Sequence, residues 1–510
     1  MNAKAEKFWG VVFSYIGSGI QMVITLYLPA FLISELGETT YGIYQMIVAF
    51  IGNLHLFNFG ISTVVSRTIT RCRTEKTEIN NALHTGIITA AVITVITAAV
   101  AFALIPLMAL FYKDSLTFDQ MHLAKLLSVW LIFSSLLYIW QRMFYGIMIG
   151  YEKFAFTNSL QFIIQIIRVC IIVLLVIFTH SVIMIAVAEV IVQIIHIIIE
   201  IMYCFKKLDI KFKFVPFIVD KVLLKIAILF GIASFLQSIT RQINNSMDKM
   251  ILGIKMLPSD VAMYSTGLTL MTAYITLTKL ISAVYLPDAT KLTVKNAVPE
   301  EYEKMMLFPM KLQAFLSMAI LFGFISVGRE FYTVWIGKEY TKMWLPVIII
   351  YLPLSIANLS SIPDIILDAK LKKLLRSIAL LLTAIINLVI SLLLVDKYGF
   401  YGVAFGTSLS FLLGNVIIMG FVYIKNIGVD IFRIYLTVVW KPALAGIIAC
   451  VISLILLKLI EFENLTEMLL GGSVFVLVYL VLLFLGLDEN EQKQFNDFKH
   501  KIQAKFQLHN

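Results

Sequence analysis

Two neighbouring apolar stretches each carry polar side chains on one helical stripe: Asn158, Gln161, Gln165 and Arg168 in the first, Glu189, Gln193, His196 and Glu200 in the second. Positions three or four apart lie above one another on an α-helix, so each set makes one polar seam on an otherwise apolar rod. Amides and a guanidinium in such a seam can hold sugars and anions, and carboxylates with an imidazole can take up and release protons. Arg168 can grip a phosphate through two parallel hydrogen bonds. It can equally pair with Glu189, which lies at about the same depth when counted back from the short turn between the stretches. An arginine at the centre of a bilayer costs roughly 2.5–3.5 kcal/mol, so one of these partners has to offset it.

Two further seams follow in the second half, Ser234, Ser238, Arg241, Asn245 and Asp248, then Ser265, Thr269, Thr272, Thr276 and Lys279. Most of the hydroxyls are expected to bond backbone carbonyls or knit helices together. Arg241 and Lys279 have no acid at the same height in their own helices, although Asp248 lies two turns beyond Arg241. They join Arg168, Gln161, Gln165 and Asn245 as the candidate substrate-binding residues. Glu189, His196 and Asp248 are the candidates for coupling to an ion, H+ or Na+. Arg142, after Trp140 and Gln141, is expected to snorkel to the near surface. Glu200, close to Lys206, reads as half of an interfacial ion pair. No phosphate-cradling glycine loop, nucleophile elbow or metal-ligand spacing is present, so the chain reads as a transporter without a cofactor rather than an enzyme.

The elements that position these residues must lie in lipid. Of 510 residues, 60% are hydrophobic and 14% charged, well above the roughly 45–50% apolar content of soluble domains. About 20 apolar residues suffice to cross a bilayer, and fourteen such stretches start near residues 11, 43, 81, 123, 158, 183, 223, 260, 306, 343, 375, 402, 439 and 466. The expected fold is an all-α polytopic membrane protein in the cytoplasmic membrane, with both termini on one side. Lysine and arginine set that side as cytoplasmic. Arg67, Arg71, Arg73 and Lys76, then Lys206, Lys207, Lys211 and Lys213, then Lys370, Lys372, Lys373 and Arg376 all fall in inner connections, against few in the outer ones apart from Arg329, Lys338 and Lys342. The net charge of +10 is thus mostly a topology signal, and no nucleic-acid partner is indicated. The first stretch reads as a retained span rather than a cleaved signal. Cys72, Cys170, Cys204 and Cys450 show no paired spacing and read as small core residues.

The chain repeats at a spacing of about 220 residues, the trace left by duplicated transporter halves. Thr39, Thr40, Tyr41, Gly42, Ile43 and Tyr44 correspond to Ser259, Asp260, Val261, Ala262, Met263 and Tyr264, and the hairpin from Ser181 corresponds to the one from Gly399. Two pseudo-symmetric six-helix lobes are expected over residues 1–204 and 223–424, joined by a cytoplasmic linker at 205–222. An extra helix pair follows at 438–486 and a cytoplasmic tail at 487–510. Pro106, Pro346, Pro353 and Pro363 interrupt spans and permit bends.

Local sequence marks add a resemblance. Asp248 with Ile251, Leu252 and Gly253, then Val261 to Ser265, then Trp335, Ile336, Gly337, Lys338, Glu339 and Tyr340, then Tyr398 to Thr407 resemble polysaccharide-lipid flippases of the Wzx type, in the superfamily that includes MATE exporters and the lipid II flippase. The resemblance implies a MATE-like fold with a cationic central cavity, working by alternating access. The implied substrate is an undecaprenyl-diphosphate-linked oligosaccharide, with membrane lipids, a polysaccharide polymerase and glycosyltransferases as further partners. It also implies a groove for the lipid tail in the helices after residue 438. A MATE-like drug or cation exporter is the nearest alternative, but its pocket should present acids. A membrane-embedded glycan polymerase is a further one, but the longest predicted outer connection, Gly328 to Lys342, is short for a catalytic domain.

Overall fold

Almost every described residue is helical; in lipid every backbone amide must find a partner, and an α-helix supplies one within its own segment. The computed structural model describes residues 3–75, 79–208, 246–370, 372–459 and 464–486. In chain order the helices are α1 (Ala3–Leu36), α2 (Glu38–Ile51), α3 (Ile61–Glu75), α4 (Ile79–Phe111), α5 (Phe118–Gly150), α6 (Phe154–Thr179) and α7 (Ile183–Lys207). There follow α8 (246–255), α9 (Pro258–Val294), α10 (Pro299–Trp335), α11 (Trp344–Ala357), α12 (Ser361–Ala369) and α13 (Lys373–Tyr398). The last are α14 (Phe400–Ser410), a π-helical segment (Phe411–Ile418), α15 (Met419–Ile427), α16 (Ile431–Leu459) and α17 (Asn464–Leu485).

Among the described residues, twelve stretches are long and apolar enough to cross a membrane, and a thirteenth counts if α9, bent by 51° between Ser282 and Tyr285, is taken as one span. The stretch expected near residue 223 lies outside the described residues, as do the linker from residue 209 onward and the tail from residue 487.

Helix starts follow local chemistry. Thr117 and Gln120 form a reciprocal capping box at α5, each side chain bonding the other's backbone N–H. Proline occupies the first position of α9 and α10, where its missing N–H costs nothing. The two hairpins paired by the repeat turn alike, through His180 at φ 47° before α7 and Gly399 at φ 56° before α14. Glycine takes this left-handed conformation without the steric penalty the histidine bears.

Two compact units result. The described parts of Met1–Leu270 and Leu388–Val403 form the first, and those of Met271–Asn387 and Ala404–Asn510 the second. In the first, α5 packs on α3, α4 and α7 around a core that includes Val65, Ile69, Leu83, Met143 and Ile147. In the second, α10 packs on α11, α16 and α17, and a core of Met306, Met310, Ile366, Tyr423 and Ile434 joins α10, α12, α15 and α16. Cys72, Cys204 and Cys450 are buried as expected of small core residues, whereas Cys170 is exposed.

Candidate functional site

The first unit pairs polar residues of α6 and α7 beside α2, and polar residues of α8 with α2 and α9. Arg168 on α6 donates Nε to Glu189 Oε1 on α7 at 2.7 Å, and its Nη2 reaches the same oxygen. Of the two roles open to Arg168, the structure therefore fills the internal pair, and the guanidinium is not a bare cation awaiting phosphate. The pairing is one-sided: the Arg168 side chain remains 43% exposed while Glu189 is 14% exposed. Tyr44 on α2 lies within electrostatic reach of both charges. Of the amides below Arg168, Gln165 is half-buried and Gln161 exposed, so this seam stays on an accessible face.

A second cation, passed over in the sequence reading, contacts α2 one residue along the chain from Tyr44. Lys249 on α8 donates Nζ to Gln45 Oε1 at 2.8 Å, and Gln45 in turn donates to the Tyr41 hydroxyl at 2.7 Å. Its hydrogen bond thus goes to an amide oxygen, with the Asp248 carboxylate within electrostatic reach. The neighbouring Asp248 accepts from the Tyr264 hydroxyl at 2.9 Å in a buried setting. What hid Lys249 was its position one residue off the Asn245–Asp248 stripe. Helical spacing drawn from a single seam excludes it, and only the packing of α8 against α2 turns it toward Gln45. Arg241 and Asn245 lie outside the described residues.

Contacts between the two sequence halves concentrate here. Gly42 on α2 abuts the Pro258 carbonyl at the start of α9. Ser115 donates Oγ to the Gly253 carbonyl at 2.6 Å, and Gly253 also lies against Tyr112 and Met46.

One interfacial expectation is corrected. Glu200 is no surface partner of Lys206: it is fully buried between α5 and α7, where Gln141 donates to it at 2.8 Å and His196 lies 3.3 Å away. The Arg142 guanidinium donates to Ser62 Oγ at 2.9 Å and sits 4.1 Å from the centre of the Tyr145 ring.

In the second unit, Lys279 on α9 is not isolated either, since Asp364 of α12 lies within its electrostatic reach. Asp364 accepts from the Tyr423 hydroxyl at 2.8 Å, and Arg376 bridges Asp368 at 3.0 Å and Asp364 at 3.8 Å. Ser360 and Tyr435 extend the network through a 2.7 Å hydroxyl contact. The one-turn spacing of Asp364 and Asp368 after Pro363 was the available signal for it. The hydroxyl stripe on α9 behaves as expected, Thr269 and Thr276 bonding the carbonyls of Ser265 and Thr272. At the end of α12, outside the span, burial pushes the Lys370 ammonium down and the charge of Lys372 adds to it; both lysines donate to Asn426.

The C-terminal helix pair shapes an apolar groove of about 670 Å³ against α10, lined by Phe315, Trp440, Leu444, Ile448 and Leu482, with Lys441 at its edge.

Residues 5–292 match the family described as "Polysaccharide biosynthesis protein". No curated protein matches the chain. Among solved structures, the lipid II flippase MurJ in an inward closed conformation is 16% identical, with a TM-score of 0.75 over 92% of this chain and 98% of that one. An inward-facing multidrug resistance MATE family transporter of the MOP superfamily is 12% identical, with a TM-score of 0.65 over 81% and 94%. A MOP superfamily transporter from Pyrococcus furiosus is 15% identical, with a TM-score of 0.52 over 86% and 97%. At these identities the likeness is one of fold: a polytopic helical membrane protein of the MurJ and MATE type.

Proposed function

The chain belongs to the polysaccharide biosynthesis protein family, and from that premise we propose that it is a flippase moving a diphosphate-linked, isoprenoid-anchored oligosaccharide across the cytoplasmic membrane by alternating access. Such a substrate is a long amphiphile: a hydrocarbon tail, a dianionic link and a polar glycan. The observation that carries the reading is that one chain holds matching surfaces for each part. The C-terminal groove offers dry apolar walls suited to a hydrocarbon chain. The α2, α6 and α8 cluster offers amides, tyrosines and two cations for sugars and phosphates.

In this proposal Lys249 is the foremost diphosphate ligand, because its hydrogen bond goes to a neutral amide, with Asp248 at electrostatic range, and that bond can be exchanged for phosphate oxygens at little loss. Arg168 contributes through its exposed edge while Glu189 holds it in place, and Gln161 and Gln165 line the path of the glycan. Lys279, Arg241 and Asn245 are retained as further substrate contacts. The exporter alternative is weakened by the acids: Glu189, Asp248 and Asp364 are each engaged by a cation or a hydroxyl, so none is a bare carboxylate ready for a cationic drug. Transport rather than enzymatic chemistry, cytoplasmic termini, and cooperation with a polymerase and glycosyltransferases belong to the same proposal.

The test is depletion of the protein followed by measurement of lipid-linked glycan in each leaflet. Accumulation in the cytoplasmic leaflet with loss of surface glycan supports the reading, and an unchanged leaflet distribution removes it.

A further inference from the structure

Glu200 is the most enclosed carboxylate among the described residues of the first unit, with no accessible surface on its side chain. Gln141 on α5, itself 2% exposed, donates Nε2 to Glu200 Oε1 at 2.8 Å. His196, one turn earlier on α7, has Nε2 3.3 Å from that same oxygen and a side chain 10% exposed. The other oxygen, Oε2, and His196 Nε2 make no hydrogen bond. A charged carboxylate shut away from water with an idle oxygen is costly unless a counter-charge or a proton neutralises it.

The groups facing this carboxylate on each side are few. From its own helix come His196 and, one turn on, the buried thiol of Cys204. From α5 come Gln141 and, at electrostatic range, Arg142, which is already committed to Ser62 and Tyr145. On α6, Leu160 and Ile164 pack on Val192 and Phe156 stacks on Tyr203, while the charge that helix brings to α7, Arg168, is held by Glu189 three turns before Glu200. The nearest neutralising partner is therefore another titratable group, and a carboxylate and an imidazole at contact distance exchange protons as a unit rather than separately.

We infer that Glu200 and His196 together form a buried proton-binding site, and that this proton is the ion coupled to the transport cycle. The pair changes its net charge by one when the proton enters or leaves, with no redox step and no other reactant. Gln141 holds the carboxylate in either state, since a carboxylic acid keeps an oxygen that can accept. The proton site stands on geometry alone; its coupling to transport rests on the flippase reading.

The experiment follows the protonated-carboxyl infrared band of the purified full-length protein through a pH titration. Glu200→Gln keeps the size and the acceptor for Gln141, and the band should be lost in it; His196→Gln should keep the band and shift its midpoint. An unchanged band in Glu200→Gln, or an unmoved midpoint in His196→Gln, overturns the site. Coupling is read separately in cells. Surface glycan in Glu200→Gln should become insensitive to collapse of the pH gradient; a response equal to wild type overturns coupling even if the band behaves as expected. If depletion of the wild-type protein leaves glycan distribution untouched while the band responds, the flippase reading has failed and the proton site has not.

Discussion

Gly42 of α2 and Pro258 of α9 approach so closely that a side chain at position 42 would overlap the proline carbonyl. The repeat sets Gly42 opposite Ala262, so the two halves use the same place differently: one keeps a bare backbone, the other a buried methyl. Gly42→Ala gains about 0.5–1 kcal/mol of helix propensity, but forcing a methyl into a packed contact costs typically 1–3 kcal/mol. The clash should win. The purified variant is expected to unfold at a lower temperature than wild type, and an unchanged or raised midpoint would show that α2 and α9 separate without cost.

The Arg168–Glu189 pair sets a second test. Removing one partner of a fully buried pair costs about 3–5 kcal/mol, but Arg168 is 43% exposed, so Glu189→Leu should fall well short of that while still lowering stability. The double variant Arg168→Leu with Glu189→Leu should recover the lost stability, because no uncompensated charge remains. Thermal unfolding of the two variants decides it; a double variant weaker than the single one would refute a structural pair.

Lys249 gives the test of substrate binding. Lys249→Gln removes a part-buried charge but keeps a polar tip near Gln45, so the protein should still fold and insert, with a loss of stability well below the roughly 3–5 kcal/mol of breaking a buried ion pair. Surface glycan should nevertheless drop about tenfold or more, the effect of losing one interaction of about 1.4 kcal/mol. Lys249→Arg should retain most of the export. Wild-type glycan levels in Lys249→Gln would move the diphosphate elsewhere.

The groove of the C-terminal pair predicts a steric effect. Leu444 lines it and is 52% exposed, so Leu444→Trp can enter the groove without displacing the core behind it. Export of lipid-linked glycan should decline while membrane insertion and thermal stability hold. Undiminished export would mean the tail lies in the surrounding bilayer instead.

The sequence by itself determined the helices, their approximate ends and the faces their polar residues share. Apolar stretches of about 20 residues satisfy their backbone in hydrocarbon as helices, and a period of 3.6 residues then assigns every side chain to a stripe. Counting the rise from a short turn even brought Arg168 and Glu189 to a common height. It could not say which helix lies across from a given stripe. That is why Glu200 reads as a surface acid beside Lys206 in the chain yet sits against Gln141 in the fold, and why Lys249, off its own seam, becomes a partner of Gln45. Only tertiary packing decided which charges are neutralised, since neutralisation depends on distances between helices and periodicity describes each helix alone.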